Sequence, residues 1–367
     1  MGKSHHYVPQ FYLRNFSSEQ GAKTISLCNV NTGAFHYNCS IKNQACRNFF
    51  YGSDQVVEDA LAEIESIVSA DIKSLLRGGV DYSNTILRVF LVLAHMRTEK
   101  TASLLSGGVE ELFTMVSEHP NVSNDIKDFL KVMDENPGSL IFAHLSSMIE
   151  STEDLSFSVV RNDSTREFIT SDNPMLLYNS YLEISNNHSS RGIGLIGTTL
   201  FMPVSAKYAI MLHDDAVYDN LLNVKNGLKV LTNRDDVDKL NSLQLIFSDK
   251  VLYFCQPYME KWIAKYLKKF STFKQKHTSS LNVAVRDKVN DDGSTVYVTD
   301  NSVKGRDELV TGDNLFVFHQ HNVYAGIFLN FLRCRKEVKL ATFSDHAIRP
   351  HVMMLERTKW NQPIDKK

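Results

Sequence analysis

Arg97 is the residue whose position most needs a chemical explanation. The 3.6-residue period of a helix places it in the middle of an apolar stripe that also holds Ile86, Phe90 and Leu93. A guanidinium on such a face must reach a carboxylate or other acceptors, because an unpaired buried charge costs several kcal/mol. Arg97 is therefore either one half of a structural ion pair or an anchor for a phosphate or carboxylate group in a cleft.

Two carboxylates on the preceding predicted helix are the candidate partners of Arg97. Glu58 and Glu65 are seven residues apart, so they lie two turns apart on the same side of that helix. Both fall at the border of its apolar stripe, where carboxylates are usually solvated. If the two helices pack as a hairpin, the same residues support the arginine instead.

A third polar group, Asp172 and Asn173, closes the run Thr170-Ser-Asp-Asn-Pro174. Asp and Asn side chains often bond the backbone two residues on, and proline forces the residue before it to be extended, so the run has a local structural explanation. The functional alternative makes Asp172 a general base or metal ligand at the end of a strand. Both interpretations stay open.

Two adjacent histidines, His5 and His6, stand close to Gln10 in an aromatic-rich N-terminal segment. Histidine offers acid–base chemistry near neutral pH, although a histidine among aromatic residues is more often simply hydrogen-bonded.

In the C-terminal half of the chain, 258–277 carries closely spaced lysines, among them Lys261, Lys265, Lys268 and Lys269. Aromatic residues recur beside them at helical spacing. This pattern predicts either an amphipathic helix with solvated lysines or a basic strip for a nucleic-acid backbone.

Other chemical motifs are weaker. The run Gly192-Ile-Gly-Leu-Ile-Gly197 matches a dinucleotide fingerprint in letters, but the residues after it read as extended rather than helical. Cys28, His36, Cys39 and Cys46 lack the paired spacing of structural zinc sites. His319 and His321 share a strand face, yet no further ligands can be named.

The elements that must position these groups indicate an α+β fold. Residues 53–150 are predicted to form a helical layer, which packs with a mixed or antiparallel β-sheet domain further along the chain. Within that β-rich part, 157–161 and 168–171 are predicted to form a hairpin. We expect one domain over residues 1–277 and a polar, β-containing C-terminal extension over 278–367.

Composition excludes several classes of protein. The chain has 367 residues, with 40 Lys and Arg against 42 Asp and Glu, so its formal net charge is −2. This rules out a globally basic nucleic-acid coat protein, though not a local basic patch.

The most apolar run has six residues, far short of the roughly 20 that a membrane helix needs. Five unevenly spaced cysteines do not fit a secreted disulfide framework, so we expect a cytoplasmic location and no membrane contact.

Taken together, these residues resemble the bacterial domain-of-unknown-function family 4238. The resemblance extends from about residue 5 to about residue 256, and its most specific parts are the opening motif His6 to Phe16 and the run Thr170 to Pro174. It implies a mixed helical and β domain but supplies no mechanism. The polar positions that fit its motifs are His5 or His6, Gln10, Glu58, Glu65, Arg97, Asp172, Asn173 and Asn241.

So many polar types exceed what packing alone requires, which favours a single polar site. The first hypothesis is a hydrolase of nucleic acid or nucleotides, toxin- or defence-like, with a divalent metal as a possible cofactor. The assigned roles are catalysis by His5, His6 and Asp172, substrate binding by Gln10, Arg97, Asn173 and Asn241, and support by Glu58 and Glu65. The alternatives are a binding module without turnover and a purely structural Arg–carboxylate network.

Overall fold

The structure is a computed structural model. It describes residues 4–19, 22–51, 56–103, 145–184, 192–273, 278–289, 295–299, 315–321, 326–338 and 348–360. The helices and strands below are numbered in chain order within these ranges.

The N-terminal segment is held down by strand pairing. Strand β1 (Ser4–His6) pairs antiparallel with β4 (Cys46–Asn48), and the short helix α1 (Gln10–Arg14) follows β1. Strands β2 (Thr24–Asn29) and β3 (Phe35–Ser40) form an antiparallel hairpin. Alternation along β1 buries His5 and leaves His6 partly exposed, because successive strand residues point to opposite faces.

The helical layer consists of α2 (Val56–Leu76), α3 (Asn84–Met96) and α4 (Leu145–Glu150), with residues 104–144 outside the described part. The apolar stripe expected on α2 is confirmed, since Leu61, Val68, Ile72 and Leu75 are all buried. Helix α2 ends at Leu76, and Gly78 follows with a φ of +76°, which suits glycine. Helix α3 is capped by Ser83, whose hydroxyl accepts the Ile86 N–H, and runs beside α2.

Two sheets form the β-rich part. The larger is a mixed sheet with the strand order β11-β12-β5-β9-β8-β7. In that same order, its strands are Asn223–Lys225, Leu228–Leu231, Ser156–Asn162, Tyr208–His213, Thr199–Pro203 and Leu176–Tyr178. The smaller has the order β3-β2-β13-β6, in which β13 is Val251–Phe254 and β6 is Thr170–Ser171. The predicted α+β class, with helices packed against a mixed or antiparallel sheet, is confirmed.

One local prediction is wrong. Strands β5 and β6 do not form a hairpin, because they belong to different sheets. The side chain of Asn162 directs the chain out of β5: its amide oxygen accepts the Ser164 N–H and its amide nitrogen donates to the Arg166 carbonyl. Strand β6 then pairs with β13, which lies about 80 residues later, and short-range turn signals carry no information about such a partner.

Three further helices are described. Helix α5 (Ser180–Ile184) follows β7. Helix α6 (Arg234–Phe247) is capped by Asn233, whose side chain accepts the Asp235 N–H, and it contacts β6 and β7. Helix α7 (Met259–Phe270) buries Trp262 and Ile263 in the same apolar cluster as α6.

The C-terminal region contains an antiparallel sheet of its own, in which β14 (Thr278–Val289) lies between β15 (Thr295–Thr299) and β16 (Leu315–His321). Strand β17 (Leu332–Cys334) pairs with β10 (Tyr218–Asn220), which lies between the larger sheet's β9 and β11 along the chain. Before helix α8 (Pro350–Trp360), buried Arg349 donates to Asp154 and to the carbonyls of Ile193 and Leu195. The last part of the predicted extension therefore packs on residues that precede position 278. Within the described residues, no helix combines the length and apolarity needed to cross a membrane.

Candidate functional site

Arg97 sits at the end of α3 and is almost fully enclosed, with 1% of its side chain exposed. Its three guanidinium nitrogens all have partners: Nη1 donates to Glu65 Oε1 at 2.7 Å, Nε to the Tyr51 hydroxyl at 3.1 Å and Nη2 to the His6 carbonyl at 2.6 Å. These bonds join α3, α2 and the N-terminal strand at one point. The geometry is that of the structural ion pair, one of the two roles that the sequence left open.

His5 lies next to this arginine network and is equally buried, with 1% exposed. Its ring stacks on the Tyr51 ring, and its Nδ1 accepts the Tyr51 backbone N–H at 3.2 Å. A nitrogen that accepts a hydrogen bond carries a lone pair, so the ring proton of this tautomer resides on Nε2. Nε2 is buried and has no hydrogen-bond partner among the described residues. His5 therefore offers one unused donor.

Glu58 supplies a matching unused acceptor. Its Oε2 atom is buried and likewise lacks a partner within the described part of the chain. Burial raises the pKa of the Glu58 carboxyl, and electrostatic interactions with His5 and Arg97 offset part of that rise. Most buried polar atoms in proteins are paired, so an unpaired donor and an unpaired acceptor on two side chains that interact electrostatically are unusual. Together they could hold a water molecule or a substrate hydroxyl.

We call His5, Tyr51, Glu58, Glu65 and Arg97 the N-terminal polar cluster. Glu58 is only half-buried and the Glu65 side chain is 25% exposed, so the cluster reaches the protein surface along α2. Its edge also carries backbone strain: Phe49, whose ring contacts His5 edge-on, has a φ of +53°. Bulky residues rarely adopt this conformation, and such strain concentrates at functional sites.

His6 and Gln10 lie near the cluster but point elsewhere. The His6 ring bonds the Lys42 carbonyl through Nε2, and burial lowers its pKa. Its contribution to the cluster is its backbone carbonyl, which binds Arg97 and the Tyr51 hydroxyl. The Gln10 amide oxygen accepts a hydrogen bond from Arg14, one turn later on α1.

Asp172 occupies a second polar centre. Its carboxylate accepts three backbone N–H groups, from Asp249 at 2.9 Å, Lys250 at 2.6 Å and Val251 at 3.0 Å. Burial raises its pKa to about 6, and the three hydrogen bonds oppose that rise. The carboxylate thus fixes the start of β13 against the end of β6. Both of its oxygens are already occupied by the protein itself.

Asn173 and Asn241 complete this second centre, which we call the Asp172 node. The Asn173 amide nitrogen donates to the Phe247 carbonyl, so it holds the end of α6. Asn241 accepts the Ile169 N–H and donates to the Glu167 carbonyl, which fastens the middle of α6 to the chain before β6. Sequence reasoning missed Gln244, which donates to Ser171 Oγ and the Asn173 carbonyl. The signal that could have found it is its position three residues after Asn241, on a neighbouring helix face.

The two centres do not merge into one site. Among the described residues, Asp172 makes no hydrogen bond or ion pair with His5, His6 or Arg97. Tyr7 lies between them: burial and the nearby charges of Asp172 and Glu99 raise the pKa of its phenol. Glu99 in turn pairs with Lys250 at 2.8 Å.

The predicted lysine strip lies on α7. Lys261, Lys265, Lys268 and Lys269 are all exposed, and none pairs with a carboxylate of a described residue. The aromatic side of the helix faces inward, with Tyr266 stacked on buried Trp262 at 4.3 Å between ring centroids. Lys265 and Lys269 lie near the Tyr266 ring. The strip is thus a solvated basic face.

No metal-ligand cluster emerges from the described part of the chain, where no three His, Cys, Asp or Glu side chains are grouped to hold an ion. Gly192–Gly197 forms turns that lead directly into β8, so the helix of a dinucleotide-binding motif is not there.

The fold is that of an α+β domain. The polar residues of its sequence motifs are mostly buried, and in the two centres their hydrogen bonds join helices to strands. The profile of the family described as "Protein of unknown function (DUF4238)" matches residues 4–257. The chain belongs to this family, as the resemblance predicted; a bacterial origin remains a prediction. No curated protein and no solved structure matches the chain.

Proposed function

We propose that the N-terminal polar cluster is the active site of a hydrolase, with Glu58 as general base and the His5 Nε2–H group as hydrogen-bond donor. The proposal rests on a buried donor, His5 Nε2–H, and a buried acceptor, Glu58 Oε2, each of which lacks a partner among the described residues while the two side chains interact electrostatically. Leaving such groups unpaired costs about 1–3 kcal/mol each, a cost that a bound water or substrate would remove.

In the proposed hydrolysis, Glu58 accepts a proton and the His5 ring donates a hydrogen bond. A water held between them donates one proton toward Glu58 Oε2, and the raised pKa of Glu58 makes it a better proton acceptor than an ordinary glutamate. As the water oxygen bonds to the substrate, the bond to the leaving group breaks and the leaving group takes the proton from Glu58. The His5 Nε2–H donates to the oxygen on which negative charge develops. Arg97 positions Glu65 and the backbone of His6 rather than the substrate.

We propose nucleic acid or a nucleotide as the substrate class. The exposed lysines on α7 support it, because closely spaced cations bind a phosphate backbone. A cytoplasmic, toxin- or defence-type role in a bacterial cell belongs to the same proposal. The five cysteines, all in described residues, form no disulfide with one another, which suits a reducing compartment.

The test is turnover of labelled RNA, DNA and nucleotides, with and without Mg²⁺ or Mn²⁺. Two variants are compared with wild type: Glu58→Gln, and His5→Asn, which keeps an acceptor for the Tyr51 N–H but removes Nε2. Asp59→Asn, one residue further on and exposed, is the control for loss of one charge from α2. Loss of turnover in both variants but not in the control supports the proposal.

The second candidate is a binding module without turnover. It is favoured because the hydrogen bonds of Arg97 and Asp172 are all made to other groups of the protein. A folded wild type that turns over no substrate, yet gains thermal stability with a ligand only when Glu58 is intact, establishes this candidate instead.

A further inference from the structure

A second feature of the molecule is a cleft between α1 and α2, with a volume of about 560 Å³. This volume falls within the 300–1,000 Å³ range typical of small-molecule sites. One wall is apolar and includes Phe11, buried Ile72 and Leu76. The rim carries Arg14, Lys73 and Arg77, and none of the residues that line the cleft is acidic.

The three cations are available to a ligand. Each is exposed, and none forms an ion pair with a described residue. Of these three side chains, Arg14 donates a hydrogen bond to the neutral amide of Gln10. Three unpaired positive charges around one opening favour a doubly charged group over a single carboxylate, and arginine in particular suits phosphate because its donors form a planar fork.

The interior of the cleft also has an unused donor. Asn15 lines it, and its amide nitrogen is buried without a partner in the described part of the chain. A buried N–H₂ group of this kind accommodates an acceptor oxygen and rejects a cation. The cleft thus combines cations at the rim, a neutral donor inside and an apolar wall.

We infer that this cleft binds a phosphate monoester that carries a flat or apolar body, with the phosphate at Arg14, Lys73 and Arg77 and the body against Phe11 and Leu76. The inference concerns binding and stands apart from hydrolysis at His5 and Glu58. The cleft and the N-terminal polar cluster nevertheless share one side of α2, since Glu58, Glu65, Ser69 and Leu76 fall within about 40° of one another around the helix.

The test is calorimetric titration of the full-length protein with two probes, adenosine 5′-monophosphate and dodecyl phosphate, which distinguish a nucleotide from a lipid-like ligand. Inorganic phosphate and adenosine are titrated as the separate halves. We expect at least one of the two phosphate monoesters to bind. If adenosine 5′-monophosphate binds, inorganic phosphate and adenosine should each bind at least tenfold more weakly than the intact nucleotide.

Two variants locate the binding. Arg14→Gln/Arg77→Gln removes two rim charges, and Lys225→Gln/Lys336→Gln removes two exposed charges elsewhere. The first is expected to raise the Kd at least tenfold and the second to leave it unchanged, with both melting as wild type. Asn15→Asp is a further variant of nearly the same shape, whose new charge repels the phosphate and weakens binding similarly. Failure of both probes to bind the folded wild type overturns the inference, as does equal binding by the two double variants.

Discussion

The N-terminal polar cluster and the Asp172 node are built from the same kinds of residues but use them differently. At the node, both oxygens of the Asp172 carboxylate accept backbone N–H groups. The node's buried atoms without a partner among the described residues are two neutral amide acceptors, Asn173 Oδ1 and Gln244 Oε1. In the cluster, by contrast, a ring nitrogen of His5 and a carboxylate oxygen of Glu58 are buried and unpaired among the described residues. A buried carboxylate whose two oxygens are both bonded stabilises a fold, whereas a donor and a carboxylate acceptor left open in one cluster are prepared for a ligand. The predictions below test this difference, from the largest expected effect to the smallest.

The strongest test of the node is Asp172→Ala. It leaves three partly buried backbone N–H groups without their acceptor, and each such loss costs about 1–3 kcal/mol. We expect the free energy of unfolding to fall by about 4 kcal/mol in urea titrations. A variant as stable as wild type would show that the node does not hold β13 in place.

Arg97→Lys tests the structural role of the arginine within the cluster. Lysine keeps the charge but cannot reach Glu65, Tyr51 and the His6 carbonyl together, so about 2 kcal/mol of stability should be lost. The measurement is again urea unfolding, with Arg47→Lys at the exposed Glu99 pair as control. An unchanged unfolding free energy combined with lost ligand binding would return Arg97 to the role of substrate anchor.

The pH dependence of activity tests Glu58. Because its pKa is raised in the folded protein, kcat/KM should begin to fall with decreasing pH at a value above the 4.5 of an ordinary glutamate. The same shift means that the native state binds a proton more readily than the unfolded state, so this residue's contribution to stability declines as pH rises through that range. Glu58→Gln should remove this pH-dependent contribution to the free energy of unfolding. An acid limb at or below 4.5 would argue against Glu58 as the base.

The smallest effect concerns the lysine strip, which belongs to neither centre. Changing Lys265, Lys268 and Lys269 to glutamine should reduce the salt dependence of single-stranded RNA binding by about 0.7 in log–log slope for each lost phosphate contact. Fluorescence anisotropy at several salt concentrations measures this slope. The matched control changes three other exposed lysines, Lys207, Lys225 and Lys336. Equal slopes for the two triple variants would remove α7 from the proposed function.

Local patterns predicted much of the fold but little of what the polar residues do. The apolar stripe of α2 follows from the helical period and is seen in the structure. The same period placed Arg97 within the stripe of the next helix, whereas α3 ends at Met96 and Arg97 is the residue that caps it, although its side chain is buried as expected. The three partners of the Asp172 carboxylate lie 77 to 79 residues further along the chain, so no local motif could indicate them. Tyr51, which binds both His5 and Arg97, was passed over for the same reason.

The most direct test of the contrast is a pair of matched amide substitutions, Glu58→Gln in the cluster and Asp172→Asn in the node, each measured for unfolding free energy and for turnover of labelled nucleic acid and nucleotides by the folded protein. We predict that Glu58→Gln abolishes turnover and keeps wild-type stability, while Asp172→Asn loses stability and keeps its turnover per folded molecule. The reverse pattern, with activity lost at Asp172 and stability lost at Glu58, would contradict the account.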